Sequence, residues 1–331
     1  MVLALAGRGR ARAEPSPASQ PARQDPATAD PDPDPDPDDA THGRPARGLI
    51  SFPDFTRRGR GSLGAPLKWN PAWPRFGWSG WIVGGSFGAL AATMAIVGPV
   101  GSDPWIGGEG PDESVRDALR AGSEEGRRTR RDISDVLLTT TVTYSLADAL
   151  LVAGWYRRSP EVAKQMALID LEVFAVTQGV IGLVKSLANR ERPFGRICGS
   201  ERPETARDCD SSERFYSFPS GHAGHTFAAA ASNCTHHIYL GLYGRRWADA
   251  LSCVAGFTLA ATTGVMRIAG DMHYFSDVMV GAGIGTLVGF GVPWFFHYRH
   301  GSPTAPDGEG EAAPTVQLLP YPVGAMAVGT F

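Results

Sequence analysis

The chain has 331 residues and a formal net charge of −3, which leaves no basic excess to serve as a nucleic-acid footprint. Its hydrophobic fraction of 43% and mean hydropathy of −0.14 average polar ends with an apolar middle. Neither value therefore excludes a membrane protein.

Residues 1–47 are rich in Pro, Asp, Arg and Ala, with Pro and Asp alternating from Asp30 to Asp39. Too little apolar surface is available there to offset chain entropy, so a disordered tail is expected. The apolar run Val2 to Ala6 is too short for the core of a signal peptide. Residues 48–77 read as a linker leading to the membrane, and 299–331 as a flexible Gly- and Pro-rich tail. The terminal Phe331 suits an outer-membrane barrel strand, but no series of alternating strands precedes it.

Between the tails, residues 78–298 form one domain with six stretches that read as membrane helices: Trp81–Val100, Ile133–Gly154, Ala163–Val184, Ala223–Tyr243, Ala248–Val265 and Val278–Phe296. Each approaches the ~20 residues needed to cross about 30 Å of hydrocarbon. The fourth is rich in small residues and the least apolar. Trp73, Trp78 and Trp81 stand where interfacial aromatic anchors belong. The fold class expected is all-α, a six-helix transmembrane bundle with disordered N- and C-terminal tails. Four acids interrupt the apolar pattern: Asp135, Asp148, Asp170 and Glu172. They read chiefly as interior groups partnered by Thr, Tyr or Arg, and they leave a soluble helical bundle open as an alternative.

Three clusters carry chemistry. Lys185 and Arg192 stand seven residues apart at the end of the third stretch. Two helical turns would set both on one face before Pro193 ends the helix, where they could cradle a tetrahedral dianion. Next, Pro219-Ser220-Gly221-His222 leads into the fourth stretch. A helix N-terminus there offers free N–H groups to an anion; Ser220 adds a hydroxyl, Gly221 permits close backbone approach, and His222 can act as general acid. Last, Arg267, His273 and Asp277 lie between the fifth and sixth stretches. His273 and Asp277 are four apart, so the carboxylate could fix the tautomer of an attacking imidazole. If all six helices span, the clusters fall on one side and assemble an inventory for phosphoryl transfer.

In these residues the sequence resembles the type 2 phosphatidic acid phosphatase and vanadium haloperoxidase superfamily. Its pattern runs Lys-x6-Arg-Pro, Pro-Ser-Gly-His, then Ser-Arg-x5-His-x3-Asp; Met266 stands where the family usually has Ser. The resemblance covers roughly residues 80–297. It implies a lipid phosphatase of the membrane with His273 as nucleophile, Asp277 as its orienting partner and His222 as acid, then base. Lys185, Arg192, Ser220, Gly221 and Arg267 would hold the phosphoryl oxygens. No metal or other cofactor is implied. The substrate would be a phosphate monoester or pyrophosphate of a lipid. Alternatives are a soluble acid phosphatase, a vanadate-dependent haloperoxidase or a lipid phosphotransferase. His225, His236 and His237 fall outside the pattern and read as ordinary helix residues.

Arg57, Arg58, Arg60, Lys68 and Arg75, then Arg157, Arg158 and Lys164, then Arg245, Arg246 and Arg299 fall opposite the clusters. Positive charge marks the cytoplasmic side, so a site facing the periplasm from a bacterial inner membrane is expected. Cys198 and Cys209 lie in the long link on that outer side, where a disulfide or two free thiols are both open readings. Cys234 and Cys253 read as small apolar helix residues. The link from Phe194 to Phe218 is long enough to form a lid or substrate cap.

Overall fold

The computed structural model describes residues 64–100, 103–200, 207–300, 315–321 and 324–330; the expected disorder of 1–47 lies outside them. Eight α-helices follow in order: α1 Trp78–Val97, α2 Asp112–Leu119, α3 Glu124–Ala147, α4 Pro160–Ala188, α5 Arg207–Asp210, α6 Gly221–Leu240, α7 Arg246–Ala269 and α8 Phe275–Pro293. A π-helical extension carries α3 on through Asp148–Tyr156, and another carries α8 through Trp294–Tyr298. The six long helices form an all-α membrane bundle.

Five of the six are long and apolar enough to cross a membrane: Trp78–Val97, Glu124–Tyr156, Pro160–Ala188, Arg246–Ala269 and Phe275–Tyr298. Their outward positions carry Ile82, Ile96, Leu150, Trp155, Leu251 and Leu287, all exposed, as lipid-facing residues must be. The sixth, α6, is less apolar for a physical reason: it lies in the middle, packed by α3, α4, α7 and α8. Most of its residues, including Ser232, Asn233, Thr235, His236 and His237, are buried among protein groups rather than lipid.

Small residues set the closest helix pair. Gly281, Gly285 and Gly289 repeat every four residues along α8, and a Cβ at any of them would strike the backbone of Ser220, Gly224 or Ala228. The stripe therefore lets α8 lie directly on α6. This contact brings the N-termini of the two helices together, and Ser220 N–H donates to the carbonyl of Asp277 at 2.9 Å.

Trp73 is not an interfacial anchor. It is buried in an aromatic cluster, edge-on to Trp69, Tyr239 and Tyr298, whereas Trp78 and Trp81 are exposed as expected. Cys234 and Cys253 are likewise not plain apolar residues: they form a disulfide joining α6 to α7. A second disulfide joins Cys198 to Cys209. In the C-terminal tail, Thr315–Tyr321 and Gly324–Thr330 pair as an antiparallel hairpin with Thr315 opposite Thr330.

Three of the four intramembrane acids find polar partners inside the bundle, though largely partners other than those expected, and Glu172 Oε1 has none among the described residues. Asp170 accepts from Ser145 and Ser232 at 2.6 Å each and faces His236 at 3.3 Å. Asp148 accepts from Tyr243 at 2.8 Å and pairs with His237 at 3.1 Å. His237 also meets Asp249 at 2.7 Å, and Glu172 meets His297 at 3.1 Å. Asp135 behaves differently.

Candidate active site

The end of α4 departs from expectation. Asn189 adopts left-handed geometry with φ 45° and its N–H caps the carbonyl of Lys185, so the helix stops at Ala188. Residues 190–192 then run extended: Glu191 N–H donates to Trp105 O at 2.9 Å and Arg192 N–H to Arg214 O at 2.7 Å. Lys185 and Arg192 therefore do not share a helix face. They still reach one place, because both charges act on His273. Lys185 Nζ donates to the carbonyl of Tyr216 at 2.6 Å, and Arg192 Nε to that of Glu213 at 2.8 Å.

Ser220 is the N-cap of α6, its hydroxyl accepting from Ala223 N–H at 3.4 Å, so the predicted helix start is in place. Gly221 sits beside Lys185: a Cβ there would lie 3.7 Å from Lys185 Cε. His222 follows in the first turn. Its Nε2 lies 2.7 Å from Asp135 Oδ1 on α3. His225 Nδ1 meets the carbonyl of Gly221 one turn back at 2.9 Å.

His273 stands in the short turn between α7 and α8 and is 1% exposed. The expected His273–Asp277 hydrogen bond is absent: Nδ1 is 3.7 Å from Asp277 Oδ2, beyond hydrogen-bonding reach. Nδ1 instead donates to the carbonyl of Ser217 at 2.7 Å. A carbonyl can only accept, so the proton sits on Nδ1 and Nε2 keeps its lone pair. Burial, then the charges of Arg192, Lys185 and Arg267, hold the imidazole well below its ordinary value and therefore neutral.

Asp277 is occupied elsewhere. It accepts from Arg190 Nη1 at 2.6 Å, Ser217 Oγ at 2.6 Å and Tyr274 N–H at 2.8 Å. Arg190 is wholly buried, its guanidinium 3.9 Å from the Trp105 ring centroid and 4.3 Å from that of Tyr274. Its other end meets Asp112 of α2 at 2.8 Å. Burial alone would raise the Asp112 carboxyl, but bonds from Glu109, Arg190 and Ser276 hold it below its ordinary value. Asp271, with φ 61°, is gripped by Arg116 at 2.7 Å and Arg120 at 2.8 Å. So α2, an element with no membrane-spanning character, braces the turn that presents His273.

Arg267 is buried near the end of α7, its side chain 5% exposed. Nη1 donates to Ser134 Oγ at 3.1 Å and Asp135 Oδ1 at 3.3 Å. Its Nε has no acceptor among the described residues. A buried donor without an acceptor is costly in a resting protein, and an anion's oxygen would satisfy it. Among the described residues no three His, Cys, Asp or Glu side chains are grouped to hold a metal ion.

All the expected site residues thus gather at one end of the bundle, where the α4 terminus, the start of α6 and the α7–α8 turn meet. Four further residues join the site that no sequence cluster names. Ser217 and Arg190 lie inside or next to recognised clusters and could have been flagged by position. Asp112 and Asp135 come from other helices, and no spacing connects them to the site.

A family profile described as the PAP2 superfamily matches residues 167–301. The chain is 43% identical over 138 residues to a lipid A 1-phosphatase of Porphyromonas gingivalis, covering 41% of this chain and 25% of the relative. The chain thus matches about a quarter of the length of that curated relative. A crystal structure of a transmembrane PAP2-type phosphatidylglycerolphosphate phosphatase from Bacillus subtilis aligns with 66% of this chain and 96% of its own, at 18% identity and a TM-score of 0.41.

Proposed function

We propose that the chain is a member of the PAP2 superfamily, whose profile matches residues 167–301, and that it is an integral-membrane phosphatase acting on a phosphate monoester or pyrophosphate of a lipid. The observation that carries this reading is the setting of His273. A buried imidazole with its proton fixed on Nδ1 faces the charges of Arg192, Lys185 and Arg267.

In the reaction, the Nε2 lone pair of His273 attacks phosphorus. The three cations balance charge on the transferring group, where positioning and electrostatics supply most of the rate. The donors assigned to it are Arg267 Nε, which has no acceptor among the described residues, and the first N–H groups of α6. His222 gives a proton to the departing oxygen, then takes one from the water that cleaves the phosphohistidine. The reaction needs no metal. Asp277 acts through Arg190 and Ser217, shaping the wall behind His273 rather than bonding to it.

The site lies at one end of a bundle whose sides face lipid, which favours an amphiphilic substrate. Phosphatidate, phosphatidylglycerophosphate, polyprenyl pyrophosphate and lipid A phosphates are the classes to assay; the curated relative puts lipid A phosphates first. The disulfide between Cys198 and Cys209 near the site supports the periplasmic face of a bacterial inner membrane.

The deciding assay measures phosphate release from those four classes, with and without a chelator, for wild type and His273→Ala in detergent micelles. Release by wild type, insensitive to chelator and lost in the variant, is expected. Turnover that survives the substitution would remove His273 from its role.

A further inference from the structure

Asp135 belongs to none of the three clusters, yet it touches two of them. Its Oδ1 lies 2.7 Å from Nε2 of His222 and 3.3 Å from Nη1 of Arg267. The neighbouring Ser134 accepts from the same Arg267 nitrogen at 3.1 Å. Helix α3 thus meets both the start of α6 and the end of α7 through two consecutive side chains.

The pairing is not the ordinary fate of a buried acid. Asp148, Asp170 and Glu172 are sealed in the bundle and must be satisfied there, whereas the Asp135 side chain is 59% exposed and could be solvated instead. An acid within a membrane helix is costly and is retained where it has work. Its two partners are the residues assigned to proton transfer and to anion binding.

We propose that Asp135 is a positioning residue for the acid–base half of the reaction. This rests on the phosphohistidine reading above. The carboxylate accepts the Nε2–H of His222 and so fixes the ring, leaving Nδ1, which bonds nothing among the described residues, to exchange the proton. In the first half-reaction the N–P bond to His273 forms as the P–O bond to the lipid breaks. The electron pair stays on the departing oxygen, which takes the proton from His222 Nδ1. In the second, Nδ1 removes a proton from water as its oxygen bonds phosphorus and the N–P electrons return to His273.

The test compares Asp135→Asn with wild type on an alkyl phosphate, whose leaving group needs a proton, and p-nitrophenyl phosphate, whose leaving group does not. Single-turnover formation of the phosphoenzyme is read for both. With the alkyl phosphate the variant should slow by about 10²-fold, the lower range for a lost general acid. With p-nitrophenyl phosphate it should stay within about 3-fold, which also shows that the protein is folded. His222→Ala should give the same selectivity, and adding Asp135→Asn to it should cost little more. Equal loss on both substrates, no loss on either, or a gain would each overturn the proposal. Failure of the broader reading is separate: it shows as phosphoenzyme that still forms in His273→Ala.

Discussion

The Nδ1–H of His273 donates to the main-chain carbonyl of Ser217 at 2.7 Å, while the Ser217 hydroxyl donates to Asp277 at 2.6 Å. One serine therefore holds both members of the expected pair and keeps them from bonding each other. A carbonyl has no charge to share with the ring, so it fixes the tautomer without stabilising an imidazolium.

That arrangement sets a pH dependence. Folded His273 is held well below its ordinary value of 6.5 by burial and by Arg192, Lys185, Arg267 and His222, so its neutral, attacking form persists as pH falls through 6.5. Phosphoenzyme formation from p-nitrophenyl phosphate, followed by rapid quench, should lose none of its rate to His273 protonation in that window. Stability moves the other way. Below 6.5 the unfolded chain binds a proton here that the folded chain does not, so this residue's contribution falls as pH drops into that range. A phosphorylation rate that halves at 6.5 in wild type and in His222→Ala alike would contradict the assignment.

Asp277 should matter through Arg190. The two form a wholly buried ion pair at 2.6 Å, and removing one partner of such a pair costs about 3–5 kcal/mol. Asp277→Asn is expected to lower stability in denaturant titrations by that order, but by far less in an Arg190→Gln background. If Asp277 instead acted directly on His273, the two substitutions would add.

The glycine stripe on α8 should be intolerant of even a methyl group. At Gly285 a Cβ would meet the carbonyl of Gly224 on α6, and both atoms belong to backbone that cannot swing aside. Gly285→Ala should cost about 1–3 kcal/mol and slow turnover, because the same contact docks Ser220 against Asp277. Gly283→Ala on the open face, where a Cβ meets nothing, is the control and should match wild type on both counts.

Much of this was legible in the sequence because the bilayer enforces it. Runs such as Trp78–Val97 must be apolar to face lipid, and their length announces them. The exception is α6, shielded from lipid by its neighbours and therefore free to carry Asn233, His236 and His237. The clusters were legible for a related reason: Lys185, Gly221, His222 and His273 lie at helix ends, where short-range spacing fixes geometry. What spacing could not show was contact between distant segments. The left-handed turn at Asn189 moved Arg192 off α4, and Ser217 displaced Asp277 as the partner of His273. Asp112 and Asp135 reach the site from helices that carry no other mark of it. Cys234 and Cys253, nineteen residues apart, pair across two helices whose packing no local pattern reveals.

Orientation gives the last prediction. The α3–α4 turn carries Arg157 and Arg158, and Arg245 and Arg246 stand at the start of α7; both places lie at the opposite end from His273. By the positive-inside rule that end is cytoplasmic. The link holding Cys198 and Cys209 would then be outside, where an oxidised pair persists. Spheroplasts treated briefly with an impermeant reductant and then an impermeant maleimide should be labelled at Cys198 and Cys209. Cys234 and Cys253, paired within the helices, should stay unlabelled until reduction and labelling are repeated in detergent. Labelling of the first pair only after the membrane is opened would place the site on the inner face. The lipid phosphates to be assayed would then be those of the cytoplasmic leaflet.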